Sequence, residues 1–281
     1  LALILLMGTV IYMNVDYIMF KYFIAKHYLY TGTLDKTFKD ELGIDIDGKY
    51  YKYFDNLAIE EVSNIVSSIG NDPFTYQYTP KEYEDYVVWR ETKAKTAYLE
   101  ELTGNAIYML FPNFTDDSYQ FLTDSIETIN KYSTLVIDLR GNGGGDLDVL
   151  FKICGLFVGN KQTVTIEKTR TYDRNIKSKE EQQIFVDKVI LLVDHNTASA
   201  SENLAVCLHE LIPDTVIVGT DTYGKGIGQT RINLTKGFYS KATTLEWQSP
   251  SGVSIDKVGV SPDIYYTDED IIDYVVENLL K

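Results

Sequence analysis

Short apolar segments that alternate with helical patterns constrain the fold of the C-terminal part of this chain. Leu135–Leu139, Val189–Val193 and Val216–Val218 are rich in residues that favour buried strands. The segments between them, Leu147–Val158 and Asn203–Leu211, carry apolar residues at helical spacing. This alternation predicts a mixed α/β domain in which helices cover a sheet. Further strands are predicted at Ile107–Phe111 and Gly237–Trp247, and further helices at Asp117–Tyr132 and Glu269–Leu280.

The N-terminal part shows a different sequence pattern, with an apolar segment followed by predicted helices. Leu1–Met13 is almost wholly apolar, but it is shorter than the ~20 residues of a membrane span and is followed by polar residues at 14 and 16. We interpret it as the end of a signal peptide or as an anchor, which would place the rest of the chain outside the cytoplasm. A buried helix of a soluble domain is the alternative. The sequence pattern predicts helices over residues 17–70, most clearly at Asn56–Ile69. It predicts a loop followed by a short helix over Asn71–Tyr86.

Composition excludes some classes of function. The chain has 26 Lys+Arg against 41 Asp+Glu, a formal net charge of -15. Such an acidic protein would be repelled by nucleic-acid phosphates, so no nucleic-acid partner is expected. Cys154 and Cys207 fit no metal-binding spacing and are expected to be buried free thiols, with a disulfide left open. The histidines at 27, 195 and 209 have unrelated spacings, which argues against a histidine metal site.

A serine at a predicted strand-to-helix turn is the first candidate catalytic residue. Ser199 follows the strand Lys188–Asp194 and opens the helix after it. The Ala200 N–H at this helix N-terminus could stabilise an oxyanion. Alternatively, Ser199 or Ser201 merely caps the helix.

A lysine between two glycines is the candidate base. Lys225 lies in the segment TYGKG, and Gln229 follows it by four residues, close enough to orient its amine. A lysine can accept a proton from a serine only where apolar surroundings favour its neutral form. The alternatives are a solvated loop lysine, or a histidine base. His195 has only its neighbour Asp194 as an orienting carboxylate, and His209 would lie roughly 15 Å along the helix from the serine.

The glycine-rich segment Arg140–Gly145 follows the strand that ends at Leu139. Consecutive glycines allow backbone N–H groups to approach a ligand, so Gly144 N–H opposite Ala200 N–H would form a two-donor oxyanion hole. A nucleotide site is not supported, because the segment lacks both GK[ST] and GxGxxG spacing. A plain tight turn is the alternative.

Four motifs in one order resemble the C-terminal-processing, or tail-specific, serine peptidases. The similarity covers roughly residues 104–265 and extends faintly to NDPFTYQY at 71–78. Together the motifs are much more specific than any one alone. They are DLRGNGGG at Asp138–Gly145, TASASE at Thr197–Glu202, VGTDTYGKGIGQ at Val218–Gln229 and WQSPSGVSIDKVGVSPDI at Trp247–Ile264.

The resemblance implies a role for each matched position. Ser199 would be the nucleophile, Lys225 the general base and Gln229 its assistant, with the Ala200 and Gly144 amides as the oxyanion hole. It also implies a crotonase-like (ClpP-like) α/β spiral core, a polypeptide substrate, and no need for a metal or organic cofactor. Relatives dimerise through N-terminal helices, so a homodimer is compatible with the resemblance.

The chain departs from the family pattern in one main respect. Family members usually carry a PDZ domain, yet only about 25 residues separate TYQYTP from GNAIYML, fewer than a domain of ~50 residues needs. We therefore predict a signal peptide or anchor over 1–20, a helical region over 21–95 and a peptidase domain over 96–281, without a PDZ domain. A catalytically inactive peptide-binding module and an acyl-CoA enzyme of related fold are the rival interpretations.

Overall fold

The computed structural model describes residues 2–30, 59, 60, 63, 64, 66, 72–93 and 95–280. The helices are α1 (Ala2–His27), α2 (Pro80–Lys93), α3 (Asp116–Ile129), α4 (Leu147–Val158), α5 (Ala200–Leu211) and α6 (Ile271–Asn278). The strands are β1 (Tyr76–Tyr78), β2 (Tyr98–Thr103), β3 (Ala106–Leu110), β4 (Thr134–Asp138), β5 (Thr163–Thr169), β6 (Asp173–Lys177), β7 (Lys188–Val193), β8 (Thr215–Gly219), β9 (Ile227–Asn233), β10 (Tyr239–Gln248) and β11 (Ile264–Tyr265).

The chain divides into two compact units. Unit 1 comprises Leu1–Lys93, Thr169–Tyr172 and Gly228–Leu245. Unit 2 comprises Ala94–Lys168, Asp173–Ile227 and Glu246–Lys281. Two segments of unit 1 therefore come from the C-terminal part of the chain.

Unit 2 is built on a six-stranded sheet in the order β11-β8-β7-β4-β3-β2. Its central pairs, β3 with β4, β4 with β7 and β7 with β8, are parallel, whereas β2 pairs with β3 antiparallel. All five residues of β4 are buried, as expected for a parallel strand covered on both faces. One apolar cluster on this sheet consists of Tyr108, Val136, Ile190, Leu192, Val218, Ile271 and Val275.

The helices of unit 2 follow from local sequence. The Asp146 carboxylate accepts hydrogen bonds from the Asp148 and Val149 N–H groups and so caps α4. Helix α5 buries Leu204 and Leu208 at i, i+4 spacing. Because β4, β7 and β8 are parallel and adjacent, the loops that carry the glycine, serine and lysine motifs all leave the same edge of the sheet.

Unit 1 gathers residues from distant parts of the chain. Strand β1 pairs antiparallel with β10, and β9 also pairs with β10. Ile59 and Val66, which are described residues of the predicted helix Asn56–Ile69, lie in its core; the rest of that predicted helix falls largely outside the described residues. The core cluster consists of Tyr17, Phe20, Ile24, Tyr28, Ile59, Val66, Ile232, Phe238 and Ala242.

The mixed α/β class is confirmed, with local differences. The apolar N-terminal segment is part of the single helix α1, which extends from Ala2 to His27. Tyr76–Tyr78, predicted as loop, form β1 because they pair with residues of β10 more than 160 positions away. Cys154 and Cys207 are free and buried, as expected, and burial raises the pKa of the Cys154 thiol.

Candidate active site

Ser199 occupies a strained turn between β7 and α5. Its backbone has φ 60° and ψ −118°, which is costly for a residue with a side chain, and the residue is buried. N-cap residues typically have extended backbones, so Ser199 stands at the N-cap position with an unusual conformation. Ser201 is not a cap, because its hydroxyl donates to the Asn142 carbonyl oxygen at 2.9 Å. Strain of this kind marks nucleophile turns, where the hydroxyl must be presented to a substrate.

The glycine-rich loop packs directly against this turn. Ala198 N–H donates to the Asn142 carbonyl oxygen at 3.0 Å. A Cβ atom added at Gly144 would come within 2.9 Å of the Ala200 nitrogen and of the Ser199 Cβ atom. Gly144 also has φ 96°, a conformation that favours glycine. The predicted neighbours Ser199, Ala200 and Gly144 are thus brought together.

The Gly144 N–H is engaged by a side chain. It donates to Asn142 Oδ1 at 2.9 Å, while Asn142 Nδ2 donates to the Phe111 carbonyl oxygen at 2.7 Å. To bind an oxyanion, as predicted, the Gly144 N–H would have to exchange the Asn142 oxygen for the substrate oxygen. Sequence reasoning did not identify Asn142 as a partner of this loop.

Glu202 links the serine turn to the lysine loop. Its Oε2 atom accepts from the Ser199 N–H at 2.7 Å and from the Lys225 N–H at 2.9 Å. Its Oε1 atom accepts from the Gly224 N–H at 2.7 Å and from the Thr222 hydroxyl. The Glu202 side chain is fully buried, so four donors replace the water that it lacks. The backbones of the predicted nucleophile and base therefore share one carboxylate oxygen.

Close packing explains the glycines on both sides of Lys225. A Cβ atom at Gly226 would lie 2.6 Å from the Asp256 nitrogen, and the Gly226 carbonyl oxygen accepts from the Trp247 N–H at 2.9 Å. Gly224 has φ 84°, and its carbonyl oxygen accepts from the Lys257 N–H at 2.8 Å. Lys225 itself is partly buried. The backbone is thus held by close packing on both sides of Lys225.

Asp194 ties the serine turn to the glycine loop. Its Oδ1 atom accepts from the Gly141 N–H at 2.9 Å, from the Asn196 N–H at 3.0 Å and from the Thr197 hydroxyl at 3.2 Å. Burial alone would raise the pKa of the Asp194 carboxyl, but these donors outweigh it and the pKa lies below its ordinary value.

Gln229 and the two candidate histidines make contacts of their own. Gln229 is on β9 in unit 1, where its Nε2 atom donates to Thr243 Oγ1 at 3.3 Å. The His195 side chain is exposed and contacts Asn196, and His209 pairs with Asp263 at 3.1 Å. Among the described residues, no three His, Cys, Asp or Glu side chains cluster in a way that could hold a metal ion.

Sequence reasoning missed Glu202, Asp194 and Asn142 as parts of this site. A signal existed for Glu202, because a serine followed three residues later by glutamate is a capping-box pattern. The other two partners join loops that are more than 50 positions apart, so spacing along the chain could not reveal them.

Two C-terminal processing proteases are similar in sequence to part of this chain. Carboxy-terminal processing protease CtpA of Bacillus subtilis (strain 168) is 27% identical over 183 residues, which cover 64% of this chain and 39% of the relative. The chloroplastic C-terminal processing peptidase of Tetradesmus obliquus is 37% identical over 131 residues, which cover 46% of this chain and 28% of the relative. The matched regions therefore span about two fifths or less of these relatives.

Solved structures share the fold. The photosystem II D1 C-terminal processing protease superposes with a TM-score of 0.69 at 16% identity, over 91% of this chain and 93% of that one. A lipoprotein from Streptococcus agalactiae superposes with a TM-score of 0.73 at 12% identity, over 94% of this chain and 96% of that one. Residues 105–266 match the profile of peptidase family S41, which is more than half of the chain, and these residues include the serine, glycine and lysine loops. The chain belongs to peptidase family S41.

Proposed function

We propose that this chain is a serine-type endopeptidase that uses Ser199 as nucleophile and Lys225 as general base. The Ser199 Oγ atom would bond to the carbonyl carbon of the scissile peptide while its proton moves to Lys225 Nζ. The C–N bond would then break, the same proton would pass to the leaving amine, and water would hydrolyse the resulting ester. Gln229 would assist by orienting the Lys225 amine.

One observation carries this proposal. The Ser199 and Lys225 N–H groups both donate to Oε2 of the buried Glu202. A buried carboxylate with four donors is a rigid junction, so the two residues are held in a fixed relation, as a nucleophile and its base require. The strained backbone of Ser199 and the membership of family S41 support the same reading.

The oxyanion would be held by the Ala200 and Gly144 amides. Gly144 packs against the Ser199 turn, which favours this role. In the resting protein Asn142 Oδ1 accepts the Gly144 N–H, so substrate binding would have to displace that contact. No metal or organic cofactor takes part in this scheme.

The substrate would be an extended or unfolded polypeptide, in keeping with the C-terminal processing activity named for the relatives. The apolar helix α1 and the bacterial relatives fit a location outside the cytoplasm, and we propose a bacterial, membrane-anchored protein. The predicted domain limits, the lack of a PDZ domain and a homodimer remain predictions.

Digestion of a denatured protein, followed by mass spectrometry of the products, tests this function. Native protein should release peptides, and Ser199→Ala and Lys225→Met should release none above background. Ser254→Ala and Lys131→Met, which change exposed residues of the same types, should cleave like the native chain. A folded native chain that cleaves nothing would favour the inactive binding module, and cleavage by Lys225→Met would favour a histidine base.

A further inference from the structure

Helix α1 has two halves with different surroundings. Residues 2–12 are exposed on every side, with exposed fractions between 58% and 72% for the consecutive residues Leu3 to Met7. From Asn14 onward the helix buries one face, including Phe20 and Ile24 in the core of unit 1. Helix α1 therefore has an apolar N-terminal half that is exposed in the described structure and a C-terminal half that packs in unit 1.

From this division we infer that α1 is a retained membrane anchor, whose N-terminal half enters the lipid bilayer and whose C-terminal half is a permanent part of unit 1. This inference deepens the proposed membrane-anchored location and is independent of the peptidase chemistry. It also decides between the two sequence interpretations of the apolar segment, since a cleaved signal peptide would be absent from the mature protein.

Asp16 fixes the junction between the halves. This fully buried carboxylate accepts from the Thr235 N–H at 2.7 Å, from the Thr235 hydroxyl at 2.6 Å and from the Lys236 N–H at 2.9 Å. The turn between β9 and β10 is thereby attached to α1. Cleavage after Asp16 would separate this carboxylate from the rest of the chain, and cleavage after Phe20 would also remove that ring from the core, so unit 1 requires this half of the helix to remain.

Charges and aromatic rings mark the expected membrane surface. Residues 1–15 include no charged side chain. The Lys236 ammonium donates to the Tyr12 carbonyl oxygen and lies 4.8 Å from the Tyr12 ring centroid. Lysine and tyrosine are enriched at the interface of a bilayer, where the ammonium meets lipid phosphates and the ring meets the acyl chains.

The all-round exposure favours a bilayer over a second copy of the chain. A partner helix would cover only one stripe of α1, and close helix pairs in membranes use small residues at their contact. Leu3 to Met7 are large apolar side chains on successive positions, and Gly8 follows them. Lipid can surround such a helix on all sides.

Intact mass spectrometry of the full chain, expressed in bacteria and extracted from membranes, tests whether the mature protein retains α1. The mature mass should include residues 2–27, the whole of α1. A mature protein that begins anywhere after Met13 and still folds would overturn the inference, and this measurement depends on no variant.

Flotation with vesicles of phosphatidylethanolamine and phosphatidylglycerol tests whether the N-terminal half of α1 enters a lipid bilayer. Leu5→Arg with Ile11→Arg should lower the floating fraction at least about tenfold, because arginine is strongly disfavoured inside a bilayer, and should leave the melting temperature unchanged. Val88→Arg with Val258→Arg, which adds the same charge at exposed apolar positions outside α1, should float like the native chain. Equal flotation of both double variants, or a dimer that does not bind vesicles, would overturn the inference.

A third variant separates anchoring from folding. Asp16→Ala should float like the native chain but melt at a clearly lower temperature, since it removes three buried hydrogen bonds. Thr9→Ala, on the exposed half of the same helix, should change neither property. An unchanged melting temperature in Asp16→Ala would show that the C-terminal half is not a required part of unit 1.

Discussion

Glu202 accepts hydrogen bonds from the backbones of both proposed catalytic residues. Its replacement therefore tests whether this carboxylate positions them for catalysis. Glu202→Gln retains the shape of the side chain but turns an NH2 group toward N–H donors. We expect kcat to fall about 10- to 100-fold, the equivalent of a lost hydrogen bond to a charged group, with a smaller change in KM. Steady-state kinetics well below the melting temperature would measure this.

Glu127→Gln is the matched control, because Glu127 is exposed on α3. It should leave kcat and KM unchanged. A folded Glu202→Gln protein with native kcat would mean that the carboxylate does not position the site.

Gly144 and Gly143 provide a contrast within one loop. A methyl group at Gly144 would come within 2.9 Å of the Ser199 and Ala200 atoms, whereas one at Gly143 meets nothing within 4 Å. Gly144→Ala should therefore lower kcat/KM about 100-fold or more, since small displacements of reacting groups are costly. Gly143→Ala should change kcat/KM only a few-fold. Similar kinetics for both variants would contradict the close contact described here.

Residue types could be predicted better than their contacts. Ser199, Ala200, Gly144 and Lys225 were all chosen from local chemistry and motif order, and the structure brings their backbones together. The partners of these residues depend on how separate loops meet, which a single sequence does not specify. This explains why the bond from the Gly144 N–H to Asn142 was not foreseen.

At the scale of elements, Asp194 joins the loops that follow β4 and β7. Its pKa is lower in the folded protein than in the unfolded chain, so it stabilises the fold above its unfolded pKa of about 3.9. That contribution is lost as the pH falls through the lower, folded-state pKa. We expect Asp194→Asn to be less stable than the native chain at neutral pH, with a difference that shrinks at acidic pH.

Urea unfolding at a series of pH values measures this difference. Asp221→Asn, at an exposed position, should match the native chain throughout. A stability difference for Asp194→Asn that stays constant into strong acid would show that the ionised carboxylate is not the stabilising form.

Elements with strong local signals were predicted well. Helix α4 has the predicted limits Leu147–Val158, because the Asp146 cap and a continuous apolar face define it locally. Strands β5, β6 and β9 were not predicted, since they alternate polar and apolar residues weakly and depend on pairing with distant segments.

At the scale of the whole molecule, the core of unit 1 unites residues from both ends of the chain. Phe20 is fully buried there beside residues of β9 and β10. Phe20→Ala should lower the free energy of unfolding by about 3–5 kcal/mol, as for other large-to-small core changes. Phe185→Ala, at an exposed position, should cost far less. Denaturant unfolding in detergent would compare them, and equal losses would contradict the core described here.

Covalent labelling tests the central claim most directly. A phosphonate ester that reacts with activated serine hydroxyls should label native protein at Ser199, located by mass spectrometry of the digested adduct. Lys225→Met should slow this labelling about 10²- to 10⁴-fold, the usual contribution of a general base, while Lys131→Met should not. Labelling of Ser199 at the native rate in a folded Lys225→Met protein, or no labelling of the native chain, would contradict the proposed Ser199–Lys225 pair.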